Sequence, residues 1–120
     1  MKYGGRGRTY NNMAYVVVVR NRSFPGMIHV FTTQDSPTDA VYKRNSLGVL
    51  PTPYVILYAK YLHHARDAKS VGKYLGETCS EPKPGFYYCD TEHVVDYMIT
   101  MDGSVWSENE SDEVILLQRR

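Results

Sequence analysis

The chain has 120 residues, 42% of them apolar and 22% charged, and a formal net charge of +1. This is the length of one domain and enough to bury a core, while the near-neutral total is low for a monomeric DNA-binding domain. There is no run of about eighteen apolar residues to make a membrane-spanning helix, and no apolar segment of a secretory signal at the start, so the expectation is a cytoplasmic protein with no membrane partner.

Residues 1–13 read as a flexible arm, because Gly4, Gly5 and Gly7 disfavour compact local structure. Arg6 and Arg8 make that arm a candidate phosphate-gripping segment. The stretch Ala14–Thr33 reads as the centre of a sheet. Val16–Val19 is β-branched throughout and has no helical period, which predicts a strand buried on both faces. Met27–Thr33 is the second strand of a hairpin. The connector from Arg20 to Gly26 carries the Pro25-Gly26 turn dipeptide, with Arg20 and Arg22 as exposed cations.

Ser36 is a candidate N-cap and Pro37 suits a first helical position, so a helix is expected to about Asn45. Pro51-Thr52-Pro53 then precedes a strand, Tyr54–Leu62, whose two alternating sets are both mostly apolar. A second helix is expected over Ala65–Leu75, with Ala65, Ala68, Val71, Gly72 and Leu75 inward. Lys60, Arg66, Lys69 and Lys73 form a basic cluster there. Glu77–Gly85 reads as a loop, Phe86–Cys89 as a short strand, and Asp90–Thr100 as a third helix. Residues 101–120 read as an acidic tail, in which Val114, Ile115, Leu116 and Leu117 form a candidate edge strand and interaction segment.

Cys79 and Cys89 flank the Pro/Gly-rich loop and read as two free thiols. With four histidines and no CxxC or HxxxH spacing, they make no metal site. Charge is divided along the chain. Residues 1–83 hold 12 Lys/Arg against 5 Asp/Glu, and residues 84–120 hold 2 against 8. Either a basic binding face or mutual neutralisation in the fold or a homo-oligomer follows from that division. Eleven tyrosines suit a protein interface and base stacking alike.

The order hairpin, helix, strand, helix, aromatic strand, helix resembles the GIY-YIG nuclease superfamily, in its compact phage and bacterial branch. Tyr15-Val16-Val17, Asn21, Pro25-Gly26-Met27 and Ile28–Thr33 carry the resemblance, with Asn45-Ser46, Pro51–Tyr54, Tyr58-Ala59 and Gly85-Phe86-Tyr87. It spans about Tyr15 to Met98. It implies an α/β (α+β) fold, a small central mixed or antiparallel sheet with about three helices, over residues 14–100. It also implies metal-assisted phosphodiester hydrolysis with Mg or Mn. The catalytic positions depart from that pattern. The hairpin tyrosine falls on Val17 and a motif glycine on Phe31. The helical arginine falls near Asp39 or Ala40, and the metal-binding glutamate on Pro84 or Gly85. Tyr15, His29, Arg44 and Glu81 are the residual candidates for a rewired site.

The expectation is therefore a catalytically inactive nuclease-like fold with no cofactor, serving as a protein-interaction or structural module. A protein partner or a homo-oligomer is expected, within a virus particle if the chain is phage-encoded. The alternative is binding of DNA or RNA through Arg6, Arg8, Arg20, Arg22, Lys60, Arg66, Lys69 and Lys73.

Overall fold

The structure, a computed structural model, describes residues 14–48 and 52–107. Strand β1 (Ala14–Asn21) is the centre of a six-stranded sheet, and Val16, Val17, Val18 and Val19 are all fully buried. A side chain on every second residue faces the same way, so four consecutive buried valines require cover on both faces. Strand β2 (Met27–Thr33) returns antiparallel through a turn closed by Phe24 N–H donating to Asn21 O at 2.9 Å. Gly26 sits in that turn at φ +81°, a conformation that costs glycine little.

Helix α1 (Pro37–Asn45) starts as its sequence predicts, with Ser36 Oγ accepting from Asp39 N–H at 3.2 Å. Strand β3 (Tyr54–Leu62) pairs antiparallel with the other edge of β1, with a register shift at Val18/Val19. Helix α2 (Ala65–Thr78) runs three residues beyond the predicted end. Strands β4 (Ser80–Lys83) and β5 (Phe86–Tyr88) form a hairpin, and β5 pairs with β2. Helix α3 (Thr91–Met98) and strand β6 (Gly103–Val105) are the last elements among the described residues. The strand order is β4-β5-β2-β1-β3-β6, antiparallel throughout. This is the α+β architecture that the sequence predicts.

Two clusters fill the interior. On one face Val16, Val18, Ile28, Leu62 and Tyr87 meet Val71 and Leu75 of α2 and Val94 and Met98 of α3. On the other, Val17, Val19 and Ala59 meet Val41 of α1, with Phe31, Tyr54, Ile56 and Trp106 alongside. Among the described residues the faces are unequally covered. Two helices lie on the first, and one nine-residue helix on the second.

Three expectations are corrected. Ser80–Lys83, read as loop, is an edge strand; its four residues are exposed, so it shows no alternation, and Pro82 is tolerated because an edge leaves one side unpaired. The domain does not stop at 100, because β6 pairs with β3 and Trp106 N–H donates to Ala59 O at 2.9 Å. Lys60 is no surface cation: it is 3% exposed, and its Nζ donates to Met98 O at 2.8 Å and Ile99 O at 3.3 Å. It thus donates to carbonyls at the end of α3, where Met98 O also accepts from Met101 N–H at 3.1 Å. No helix among the described residues is long and apolar enough to cross a membrane.

Candidate functional site

The register places Met27, His29 and Phe31 of β2 on the face that α1 only partly covers. Val17 lies opposite Phe31, Val19 and Phe86 opposite His29, and Tyr88 opposite Met27. Tyr54 joins them from β3, opposite Asn21. The His29 ring stacks on Phe86 with centroids 4.0 Å apart, and lies 5.4 Å from Phe31 and 5.7 Å from Tyr54. Arg44, in the last turn of α1, leans across with Cζ 3.8 Å from the Phe31 centroid. A cation over an aromatic face is attracted by the ring quadrupole. Among the described residues no carboxylate forms an ion pair with Arg44.

His29 is held by chemistry as well as stacking. Its Nδ1 lies 2.9 Å from Gly85 O, and a carbonyl only accepts, so Nδ1 carries the proton. The same carbonyl accepts from Val30 N–H at 2.9 Å. Gly85 has φ +85°, and a Cβ there would lie 3.3 Å from the His29 ring, so the turn requires glycine for backbone and space. Burial lowers the His29 pKa below its ordinary value; the Gly85 bond opposes this and the Arg44 charge adds to it. The imidazole is therefore predominantly neutral at pH 7. Burial also raises the Tyr54 hydroxyl, with Arg44 acting against it.

Beside this cluster, Phe24, Met27, Tyr54, Pro82, Lys83, Phe86 and Tyr88 line a surface concavity of about 360 Å³. Phe24 is 40% exposed and Tyr88 53%, high for large apolar rings. Asn21 anchors the wall. It is buried, with Nδ2 donating to Thr52 O at 2.6 Å and Oδ1 accepting from Ser23 N–H and Thr52 Oγ1. The sequence reading does not find this concavity. Strand β2 was legible by itself, but that β5 pairs with β2 is a long-range fact.

The four residual catalytic candidates are not brought together. His29 and Arg44 share the aromatic face. Tyr15 lies on that face four residues along β1 from the residue opposite His29, roughly 13 Å at the rise of a strand, and packs edge-on against Tyr61. Glu81 turns elsewhere, accepting from Gly85 N–H at 3.0 Å. Its charge also acts on Tyr87, whose hydroxyl burial and Glu81 push up to about 12, in the core on the opposite face. Val17 is fully buried; Asp39 is exposed, and Ala40 is buried on α1.

The basic residues are divided too. Arg66, Lys69 and Lys73 are exposed on α2, across the sheet from the aromatic face. Arg20 and Arg22 are exposed at the hairpin, with Arg20 Nη2 donating to Thr91 Oγ1 at 3.2 Å. Arg6, Arg8 and Val114–Leu117 lie outside the described residues. No group of three His, Cys, Asp or Glu side chains suited to a metal occurs among the described residues. No family model matches the chain, and no curated protein or solved structure matches it.

Proposed function

We propose that this protein is a non-catalytic interaction module on a nuclease-like scaffold, docking an apolar segment of a partner protein on its aromatic face. One observation carries the reading: the exposed rings of Phe24 and Tyr88 flank a concavity walled by Met27, Tyr54, Pro82 and Phe86, on the less covered face of the sheet. Aromatic side chains give large contact area at low entropic cost, and such walls suit apolar or proline-containing segments. Lys83 in its lining, and the Arg44 charge that acts on Tyr54, favour a segment that also carries acidic groups.

Binding of single-stranded nucleic acid is the second reading, favoured by the exposed row Arg66, Lys69 and Lys73. Such binding joins stacking rings and cations in one groove. Here that row and the aromatic concavity lie on opposite faces, which favours the protein partner. A rewired Mg- or Mn-dependent nuclease has the least support, because its four candidates are dispersed.

Selection of peptides from a random library against the whole chain tests the reading. Apolar, aromatic or proline-containing ligands are expected, and Tyr88→Ser with Phe24→Ser should weaken their binding at least tenfold. Fluorescence polarisation with single-stranded and duplex oligonucleotides is the counterpart. If oligonucleotides bind with steep salt dependence, and Lys69→Ala with Lys73→Ala abolishes that binding while the ring variants do not, the protein-docking reading fails.

A further inference from the structure

The sequence places Cys79 and Cys89 ten positions apart, and the fold brings both to the open end of one hairpin, against one core cluster. Ser80 is paired with Tyr88 at the open end of the β4–β5 ladder. Continued one residue outward, that register sets Cys79 opposite Cys89, just beyond the last paired residues. Directly opposed residues of an antiparallel pair have Cα atoms about 4.5 to 5.5 Å apart, within the roughly 4.4 to 6.8 Å that a disulfide spans. Ser80 and Tyr88 point to solvent, while both cysteines are partly buried and pack against the same core cluster under α2 and α3. The two thiols are near enough that Cys79 raises the pKa of Cys89. They are unbridged.

We infer that Cys79 and Cys89 form a redox-active dithiol, a cross-strand pair that low-molecular-weight disulfides convert to an intramolecular disulfide without rearranging the fold. Burial first, then the neighbouring Cys79, raises the Cys89 thiol to about 12. Cys79 is the other sulfur of the pair. Its surroundings include the Thr78 hydroxyl at 3.6 Å from Sγ, and that hydroxyl lies 2.8 Å from His93 Nε2.

The exchange balances without a further reagent. The Cys79 thiolate attacks one sulfur of the small disulfide, the S–S bond breaks, and the first small thiolate leaves and takes up a proton. Cys89 then gives its proton to solvent and attacks Cys79 Sγ. The protein disulfide forms as the second small thiolate departs and is protonated. The protein loses two electrons and two protons, and the small disulfide becomes two thiols.

The bridge ties the base of the hairpin that presents Pro82, Lys83, Phe86 and Tyr88. Coupling of oxidation to partner binding rests on the docking reading above; formation of the bridge does not, and it is measured without any partner.

The experiment treats the folded whole chain, at low concentration, with glutathione disulfide, and follows intact mass and free thiol content. The expected product is a monomer about 2 Da lighter with both thiols lost, since closing the bond removes two hydrogens. Cys79→Ser and Cys89→Ser each remove the second sulfur and should stop at a single glutathione adduct or stay unmodified. Two adducts on the wild-type chain, a disulfide-linked dimer, or bridge formation only in denaturant would each overturn the inference. The wild-type measurement decides the matter even if a serine variant folds poorly.

Discussion

His29 shows how far one side chain's chemistry reaches. Its folded pKa is below the ordinary value of 6.5, so the unfolded chain binds the proton first as acid is added. The stability it contributes is full above about pH 6.5 and is lost as pH falls through the folded pKa. His29→Phe keeps a ring for the stack on Phe86 but gives up the bond to Gly85, which should cost about 1 kcal/mol at pH 8. Between about pH 8 and pH 5 the urea midpoint of the wild type should fall further than that of the variant. His63, His64 and His93 are common to both proteins, so the difference belongs to His29; equal falls would mean that the ring is not protonation-sensitive. Nothing in the residue's place in the sequence announced this burial. It depends on Phe86 and Gly85, more than fifty positions away.

At the scale of elements, local chemistry was legible and long-range pairing was not. The valine run, the Pro-Gly turn and the Ser36-Pro37 helix start each act within a few residues, and each element formed where predicted. Strands β4 and β6 escaped notice because an exposed edge of three or four residues shows no alternation. Asn45 shows a further reason. Its side chain accepts from Tyr54 N–H at 2.8 Å and donates to Tyr54 O at 3.3 Å, pinning the end of α1 to β3, and no sequence pattern marks such a clasp. The aromatic site was half-visible for the same reason: its strands could be read singly and their adjacency could not. Strand β6 lies so close to β3 that a Cβ on Gly103 would collide with Tyr61 O. Gly103→Ala should therefore release β6. Amide exchange at Trp106 should rise well above its wild-type rate while Val17 and Val18 stay protected; unchanged exchange at Trp106 would show that the edge tolerates the methyl group.

The whole molecule depends on a central strand with no exposed face. Val17 is fully buried between β2, β3 and α1. Val17→Asp puts an unpaired carboxylate there, at a cost of several kcal/mol against a total of about 5 to 15 for a typical domain. Loss of the cooperative unfolding transition is expected by circular dichroism, and a variant that melts like the wild type would refute a core at this strand. Lys60 turns the same enclosure into a natural gauge. Lys43, Lys69, Lys73 and Lys83 are exposed, whereas the Lys60 amine is held beneath the end of α3. A mild acylating reagent should mark those four within the folded protein and reach Lys60 only during the moments when α3 lifts away. Its labelling rate, read by peptide mapping, then times the breathing of that corner without any introduced probe.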